Sequence, residues 1–419
     1  MNIEITQGIS GGSIAAIPAK ADAHRAFIAA ALSGKRVAIR LGTAELSQDI
    51  AATLRCLEQL GTRIVHRGNG VWESVPAPLP ARPELDCGES GSTLRFLLPI
   101  AAALGVTADF SGSGRLPERP LTELMDTMTR HGVDFSGEKL PFRLSGKLEG
   151  GRFELPGNVS SQYISGLLFA LYAGRLAGEI VLTTRLESSR YVDMTVATLR
   201  RFGADIRRTA DGWSVGTGNG EAPETIAVEG DWSNAAAFLV CGALGGKVTV
   251  SGLNAESLQP DRAVLDILRR FGAETAAEGG DVSAAPGVPR PAVVDVSETP
   301  DLLPVLAVLA ARSPGKSRFV NAARLRLKES DRLASTAKLL RSIGIEVSEE
   351  PDSLEITGGT TVSGARTDSF NDHRLVMAAA AAATLGALPL TVTGADAVNK
   401  SQPGFFDDFS ELGGKYRRV

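Results

Sequence analysis

The sequence predicts an α/β fold with two lobes, each built from three repeats of about 70 residues. Two series of glycines indicate the repeats, because each series has six members and successive members are 69 to 72 residues apart. Each glycine follows a helical pattern and precedes a short strand-like run. Six repeats form either one array or two groups of three, and two lobes agree better with the usual size of a domain.

The first series follows amphipathic helices. It consists of Gly61, Gly132, Gly203, Gly272, Gly344 and Gly413. In the first repeat Ile50, Leu54 and Leu57 recur at helical spacing and predict one apolar face. A glycine suits the end of such a helix, because the chain leaves it in a left-handed conformation that only glycine adopts cheaply. The alternating run at 345–347 is typical of the strands that follow.

The second series follows helices that are rich in alanine and leucine on all sides, which predicts that these helices are buried. It consists of Gly34, Gly105, Gly174, Gly245, Gly315 and Gly386. Strand-like runs follow, for example at 247–250 and 388–392. Each repeat is therefore predicted as a buried helix, a strand, a loop, an amphipathic helix and further strands.

The composition argues against several classes of function. A net charge of −4 and 5% aromatic residues give neither the basic surface nor the stacking platforms of a nucleic-acid-binding protein. Cys56, Cys87 and Cys241 are scattered without metal-ligand spacing, which favours a reducing, cytoplasmic location and no metal site. Residues 1–6 alternate like a strand rather than a signal peptide, and the alanine-rich runs are too short and interrupted to span a membrane.

Polar side chains concentrate immediately before the predicted helices. Before the buried helices stand Lys20, Arg25, Ser92, Arg95, Ser160, Ser161, Gln162, Asp231, Asp301, Asn371, His373 and Arg374. Before the amphipathic helices stand Asp49, Arg115, Arg119, Ser188, Arg190, Tyr191, Gln259, Asp261, Arg262, Lys328, Glu329, Arg332 and Lys400. Helix N-termini carry unpaired amides and partial positive charge, so these loops suit an anionic ligand, although helix capping explains several of the same residues.

The densest charge run is 324–332. Its cations Arg324, Arg326 and Lys328 alternate with leucines, so a strand would place all three on one face. A solvated edge strand followed by a charged helix start explains the same pattern. However, a carboxylate such as Glu329 among cations is also the arrangement that enolate, phosphate or carboxylate chemistry requires.

At 17–25 the sequence resembles the P-S-K-S-x-x-[NH]-R signature of the EPSP synthase family. The match keeps Lys20, His24 and Arg25 but has Ala19 and Ala21 where the family usually has serines. The second serine normally gives its hydroxyl to the shikimate phosphate. The resemblance therefore implies weaker binding of that substrate, without loss of activity.

Further motifs of the family follow in order along the whole chain. They lie at 87–95, 115–120, 158–163, 186–193, 228–233, 299–304, 324–332, 371–374 and 399–403. Two positions depart from the pattern: Arg190 stands one residue late in its motif, and Arg324 stands where some members have asparagine.

The resemblance implies an inside-out α/β barrel of the enolpyruvyl transferase type. We place one lobe at 19–229 and the other at 1–18 plus 230–419, with the active site in the cleft between them. The implied activity is transfer of the enolpyruvyl group of phosphoenolpyruvate to the 5-hydroxyl of shikimate 3-phosphate, through a tetrahedral phospho-ketal. The implied partners are these two substrates, with no cofactor, metal, nucleic acid or membrane. Nothing in the sequence demands more than a monomer.

The resemblance also assigns roles. The catalytic residues are expected to be Asp301, Glu329, Lys328 and Lys20. Phosphoenolpyruvate is expected to bind Lys20, Gly91, Arg119, Gln162, Arg332, Arg374 and Lys400. Shikimate 3-phosphate is expected to bind Lys20, Arg25, Ser160, Ser161, Gln162, Ser188, Asp301 and Lys328. With so many cations converging, we also expect a lowered pKa for Lys328.

Two alternatives stay open. The related transferase that acts on UDP-N-acetylglucosamine typically carries a cysteine in the loop that is Ser111 to Arg115 here, and none of the three cysteines lies there. A non-catalytic polyanion-binding protein built on the same repeats is the second alternative. It predicts that replacing Glu329 leaves ligand binding and biological function unaffected.

Overall fold

The structure is a computed structural model that describes residues 1–218 and 221–419. Its α-helices are α1 (Lys20–Leu32), α2 (Gln48–Gln59), α3 (Gly91–Ala103), α4 (Thr122–Thr129), α5 (Ser161–Gly174), α6 (Ser189–Arg201), α7 (Trp232–Leu244), α8 (Val264–Arg270), α9 (Leu303–Arg312), α10 (Arg332–Ser342), α11 (His373–Leu385) and α12 (Phe405–Glu411). The odd-numbered helices are the predicted buried ones and the even-numbered helices the amphipathic ones, so the predicted alternation is confirmed. Within the described ranges, no helix has the length and apolar character that crossing a bilayer requires.

The strands form six four-stranded sheets in the described ranges. They are β1 (Ile3–Gln7), β2 (Gly12–Ala15), β3 (Val37–Arg40), β4 (Thr62–Gly68), β5 (Val71–Pro76), β6 (Glu84–Asp86), β7 (Ala108–Ser111), β8 (Val133–Phe135), β9 (Phe142–Gly146), β10 (Gly151–Leu155), β11 (Gly178–Leu182), β12 (Ile206–Arg208), β13 (Gly212–Val215), β14 (Thr225–Ala227), β15 (Val248–Ser251), β16 (Glu274–Glu278), β17 (Asp281–Ala285), β18 (Val293–Asp295), β19 (Gly315–Val320), β20 (Glu346–Glu349), β21 (Leu354–Gly358), β22 (Ala365–Asp368), β23 (Leu390–Thr393) and β24 (Lys415–Arg418).

All six sheets share one topology. In β6–β7–β9–β8, the first two strands are parallel and flank α3, and the remaining neighbours pair antiparallel. The register places Leu85 beside Phe110 and Phe110 beside Phe142, which keeps large apolar side chains on one face. The other sheets are β14–β3–β5–β4, β10–β11–β13–β12, β2–β15–β17–β16, β18–β19–β21–β20 and β22–β23–β1–β24. The repeat inferred from glycine spacing is therefore a βαβαββ unit.

The chain divides into two compact units, which we call lobe 1 (Pro18–Val228) and lobe 2 (Met1–Ile17 with Glu229–Val419). Each lobe has its own apolar core. Strands β1 and β2 complete two sheets of lobe 2, whereas β14 supplies the first strand of the sheet that contains β3. Each lobe thus contains three complete sheets.

Small residues let the buried helices approach closely. Gly166 of α5 packs on α3, where an added Cβ would lie 2.2 Å from the carbonyl oxygen of Arg95. Ala170 is likewise fully buried in α5, and all residues from Met377 to Ala382 in α11 are fully buried. The alanine-rich composition of these helices therefore reflects close packing rather than helix propensity alone.

The glycines of the two series differ in their backbone conformation and in their position relative to the helix ends. Every member of the first series has a left-handed φ between +80° and +91°, which confirms the prediction for amphipathic helix ends. In the second series, Gly174 lies inside α5 and Arg175 takes the left-handed turn, with φ of 49°. Gly245 ends α7 with φ of −104°, and Gly315 begins β19. The second series therefore marks closely packed positions as well as helix ends.

The strand expected over Arg324 to Lys328 is wrong, because Ala323–Leu327 form a 3-10 helix. That turn buries Leu325 but leaves Leu327 43% exposed, so the leucines do not share a face. The alternation of cations and leucines at 324–328 therefore does not correspond to a strand in the structure. Lys328 follows the turn in extended conformation, which separates it from Arg326.

Candidate active site

Acidic and basic side chains of lobe 2 meet at the start of α10. Arg332, the first residue of that helix, is 1% exposed and donates hydrogen bonds to three carboxylates. Its Nη1 lies 2.7 Å from Asp301 Oδ1, and its Nη2 lies 2.7 Å from Glu329 Oε2. Its Nε and Nη2 lie 2.9 and 3.1 Å from the two oxygens of Asp372. A rigid fork of donors suits arginine to this bridging position.

Asp301 lies in the 3-10 turn Pro300–Leu302 before α9, and its carboxylate does not cap that helix. Its Oδ1 is 3.2 Å from Lys328 Nζ, and its Oδ2 is 3.9 Å from Arg374 Nη2. Burial by itself raises the pKa of Asp301, but the charges of Lys328, Arg332 and Arg374 outweigh burial and hold the pKa below its ordinary value. Asp301 is therefore ionised at neutral pH.

At Lys328, in contrast to Asp301, burial outweighs the effect of the neighbouring opposite charge on the pKa. Burial lowers its pKa, and the attraction of Asp301 only partly opposes burial. The direction agrees with the expectation from the sequence, but its main cause is burial, and the neighbouring cations Arg332 and Arg324 contribute less. A lysine with a lowered pKa can give up a proton nearer neutral pH than an ordinary lysine, so it can act as an acid–base group.

Two further cations of the predicted set lie at the start of α11 and before α12. Arg374 Nη1 donates to the carbonyl oxygen of Ser233 over 2.8 Å, and its Nε has no hydrogen-bond partner among the described residues. Lys400 Nζ lies 2.6 Å from the carbonyl oxygen of Asn371, whose φ of 53° is left-handed. Both side chains are almost fully buried, so the surrounding residues of lobe 2 restrict the positions of these two cations.

Lobe 1 places Lys20 at the first position of α1, where its Nζ pairs with Asp49 Oδ2 at 2.7 Å. Arg25 lies one turn later and is almost fully buried. Its guanidinium donates to Thr195 Oγ1 and to the carbonyl oxygens of Ala21 and Tyr191. Arg25 thereby links α1 to the first turn of α6, and its expected contact with shikimate 3-phosphate stays a prediction.

Gly91 begins α3 directly against Arg119. A Cβ at this position would lie 2.6 Å from Arg119 Nη1, so a larger residue would displace the guanidinium. Arg119 Nε has no hydrogen-bond partner among the described residues. The pair therefore combines the amide end of a helix with an arginine, an arrangement suited to a carboxylate or phosphate.

Gln162 and the two serines before it open α5. Gln162 Oε1 accepts from Arg95 Nη1 and its Nε2 donates to Ser92 Oγ, both over 2.8 Å. Ser160 caps the helix by accepting from the Gln162 backbone amide at 3.3 Å, as the capping alternative anticipated. Ser161 is the first residue of the helix. The substrate contacts expected for these residues stay predictions.

Ser188 precedes α6 with a left-handed φ of 55° and is almost fully buried. Because a serine rarely adopts this conformation, the local backbone is held by its surroundings. Tyr191 lies in the first turn of the same helix, where Arg25 contacts both its carbonyl and its ring. The start of α6 is therefore fixed in position.

The comparisons with known proteins agree with this geometry. The profile of the family EPSP synthase (3-phosphoshikimate 1-carboxyvinyltransferase) matches residues 5–409. The chain belongs to the EPSP synthase family. A Clostridium kluyveri protein named 3-phosphoshikimate 1-carboxyvinyltransferase is 41% identical, over 96% of this chain and 95% of its own. A Methanocorpusculum labreanum protein of the same name is 36% identical over the full length of both chains. The resemblance inferred from the motifs is thus confirmed.

Solved structures show the same fold. An EPSP synthase from Acinetobacter baumannii matches with a TM-score of 0.80 and 24% identity over both whole chains. The enolpyruvyl transferase NikO from Streptomyces tendae matches with a TM-score of 0.79 and 17% identity, over 99% of this chain and 98% of its own. These matches confirm the enolpyruvyl transferase fold that the resemblance implied.

The lobe 2 residues to which the resemblance assigned roles lie together in space, but two acids that contact such residues had received no role. Asp301, Lys328, Glu329, Arg332 and Arg374 form one cluster within lobe 2. Within lobe 1, Gln162 bonds to Ser92, the residue after Gly91. These acids are Asp372, which anchors Arg332, and Asp49, which pairs with Lys20. Both are visible in the sequence: Asp372 lies in the N-D-H-R motif, and Asp49 precedes an amphipathic helix like the other site residues.

Proposed function

We propose that this protein transfers the enolpyruvyl group of phosphoenolpyruvate to the 5-hydroxyl of shikimate 3-phosphate, giving 5-enolpyruvylshikimate 3-phosphate and phosphate. Family membership over the whole chain supports the reaction. The observation that carries the chemistry is the ionised Asp301 held among Lys328, Arg332 and Arg374. A carboxylate held by cations can accept a hydrogen bond from the attacking hydroxyl without becoming strongly basic.

In the addition step, the hydroxyl oxygen bonds to C2 of phosphoenolpyruvate while its proton leaves toward the protein. Asp301 is suited to orient this hydroxyl, because its lowered pKa makes it a weak base but a good acceptor. Lys328, 3.2 Å away and with a lowered pKa, is the better proton acceptor when neutral. The two residues therefore share the roles that the resemblance assigned to them.

The same step places a proton on the methylene carbon, for which we propose Glu329. Elimination then removes a proton from that carbon, breaks the C2–O bond to phosphate and restores the double bond. Arg332 holds Glu329 at 2.7 Å and so fixes the orientation of its carboxylate. One group that first gives and then takes a proton satisfies both halves of the reaction.

Cations and helix N-termini supply the binding of the anionic substrates. We propose that Lys20, Gly91, Arg119, Gln162, Arg332, Arg374 and Lys400 bind phosphoenolpyruvate, and that Lys20, Arg25, Ser160, Ser161, Gln162, Ser188, Asp301 and Lys328 bind shikimate 3-phosphate. Such preorganised charges can stabilise the transition state on their own, so the proposed reaction needs no metal or organic cofactor. We further propose that the enzyme acts as a cytoplasmic monomer. The location of the active site in the cleft between the lobes stays a prediction.

Phosphate release with both substrates tests the reaction. We expect release that requires both phosphoenolpyruvate and shikimate 3-phosphate, and a loss of at least about 100-fold in Glu329→Gln, which keeps the shape of the side chain but not its acid–base chemistry. A matched control is Glu346→Gln, an exposed acid in β20. Release with UDP-N-acetylglucosamine instead would favour the related transferase. Binding of both anions without turnover in folded protein would favour the non-catalytic alternative.

A further inference from the structure

Asp261 is a buried acid that neither the motifs nor the proposed roles explain. It lies in the 3-10 turn Pro260–Ala263 before α8. Its side chain is 0% exposed, although aspartate is rarely buried without a cationic partner. No ion pair involving this carboxyl is present among the described residues. A structural or functional role must therefore explain why an acid occupies this buried position.

Asp261 is connected to the proposed phosphoenolpyruvate site through one residue. Ser233 Oγ donates a hydrogen bond to Asp261 Oδ2, and the Ser233 carbonyl oxygen accepts from Arg374 Nη1 at 2.8 Å. Arg374 Nη2 in turn lies 3.9 Å from Asp301 Oδ2. Asp261 thus fixes the residue whose backbone holds Arg374.

Three charged groups face Asp261 from neighbouring elements. They are Asp231 at the N-terminus of α7, Asp301 before α9 and Arg374 in α11. Burial, followed by repulsion from Asp301, raises the pKa of Asp261 to about 7, although Ser233 and Arg374 oppose this rise. The carboxyl therefore changes its protonation state near neutral pH. Its Oδ1 is buried and has no hydrogen-bond partner among the described residues.

We propose that Asp261 is a positioning residue for phosphoenolpyruvate: while it carries a proton it fixes Ser233 and leaves the charge of Arg374 to the anionic substrate. This inference rests on the proposed function, because it takes Arg374 as a ligand of phosphoenolpyruvate. When Asp261 loses its proton, a further carboxylate competes for Arg374 and repels the incoming anion. Substrate binding and protonation of Asp261 therefore favour each other.

The test compares the KM for phosphoenolpyruvate of the wild type and of Asp261→Asn between pH 6 and 9, at saturating shikimate 3-phosphate. Asparagine mimics the protonated carboxyl and can still accept a hydrogen bond from Ser233. We expect the ratio of wild-type to variant KM to rise through pH 7, by up to about tenfold for each pH unit above it. Titration of the substrate itself affects both proteins equally and cancels in the ratio. The effect should appear in KM rather than kcat.

A control variant and a second measurement complete the test. Asp266→Asn removes an exposed acid of α8, and its KM ratio to the wild type should not change with pH. If Asp261→Asn does not fold, calorimetry of phosphoenolpyruvate binding to the wild type at pH 8, in two buffers of different ionisation enthalpy, should show proton uptake. A KM ratio independent of pH, a pH effect confined to kcat, or binding without proton uptake would overturn the proposal. Absence of phosphate release would instead contradict the proposed function, and the calorimetry would still test Asp261.

Discussion

Lys328 Nζ lies 3.2 Å from Asp301 Oδ1, and the two partly buried residues balance each other's charge. Burial lowers the pKa of Lys328 while Asp301 opposes this change, and the cations around Asp301 hold the pKa of that carboxyl low. Removing the negative charge of Asp301 therefore lowers the pKa of Lys328 further. The charge states of the two residues are therefore coupled.

The first prediction concerns Asp301→Asn. We expect kcat for phosphate release to fall at least about 100-fold, because the attacking hydroxyl loses its charged acceptor. The remaining activity should reach its maximum at lower pH than the wild type, since Lys328 becomes neutral at lower pH. A pH profile of kcat measures both effects, with Asp281→Asn, an exposed acid of β17, as the control. Activity close to that of the wild type would contradict the role given to Asp301.

Arg332 provides a stability prediction. Arg332→Leu leaves Asp301, Glu329 and Asp372 without their shared partner in a buried site, so we expect the free energy of unfolding to fall by about 3 to 5 kcal/mol at pH 7. Urea denaturation followed by circular dichroism measures this loss. The loss should become smaller as pH falls, because Arg332 helps to hold the pKa of Asp301 low in the wild type, and protonation of that carboxylate in the variant removes its unpaired charge.

The control for this prediction is Arg326→Leu. Arg326 is 29% exposed and pairs with Asp331 and Glu349, so its replacement should cost about 1 kcal/mol or less. Equal losses in the two variants would show that burial of Arg332 does not govern its contribution.

The repeat could be predicted from the sequence because backbone geometry dictates it. Each amphipathic helix needs a left-handed residue at its end, and glycine at Gly61 or Gly344 satisfies this need in every repeat. The order of strands within a sheet could not be predicted, because it depends on pairing between distant segments. Strand β14, for example, pairs with β3 about 190 residues earlier.

The candidate site, too, could be predicted from the sequence only in part. Lys328, Glu329 and Arg332 were found because one contiguous motif contains them. The contact of Arg332 with Asp372, and the proximity of Asp261 to Asp301, arise only when separate repeats fold together, so no local pattern reveals them. The alternation of 324–328 predicted a strand, but the chain forms a 3-10 turn there, and this turn separates Lys328 from Arg326.

Asp49 supplies a third prediction. Its carboxylate lies 2.7 Å from Lys20 Nζ, and both side chains are largely buried. We expect Asp49→Asn to lower kcat/KM for phosphoenolpyruvate about tenfold, because Lys20 loses the partner that orients it. A double-mutant cycle with Lys20→Gln should show non-additive losses, since each variant removes the same interaction. Glu58→Gln, an exposed position of α2, is the control, and additive losses would contradict the coupling.

Asp261 predicts a pH dependence of stability with a definite sign. Its pKa is raised in the folded state from 3.8 to about 7, so its favourable contribution is complete below 3.8 and is lost as pH rises through about 7. The free energy of unfolding of Asp261→Asn, relative to the wild type, should therefore increase between pH 4 and 7 by up to about 4 kcal/mol. Urea denaturation at several pH values measures the difference. The opposite dependence caused by Asp301 is common to both proteins and cancels, and a difference that falls with pH would contradict the assignment.

Gly91 gives the last prediction. A methyl group at this position would lie 2.6 Å from Arg119 Nη1, a distance that forces the guanidinium away from the start of α3. We expect Gly91→Ala to raise the KM for phosphoenolpyruvate about tenfold or more, because a displaced arginine loses its paired hydrogen bonds to the anion. The fold should persist, since Gly91 has an ordinary helical backbone and the clash is with a movable side chain.

Gly137→Ala is the matched control for this substitution. An added Cβ at Gly137 meets no atom within 4 Å, so the same chemical change should leave KM unaltered. Thermal unfolding of both variants separates an effect on the site from an effect on stability. If Gly91→Ala bound phosphoenolpyruvate as well as Gly137→Ala does, Arg119 would not be a ligand in the position that the structure gives it. An increase in KM that disappears when Arg119→Ala is already present would establish that the methyl group acts through this arginine, because the two changes would then remove one interaction.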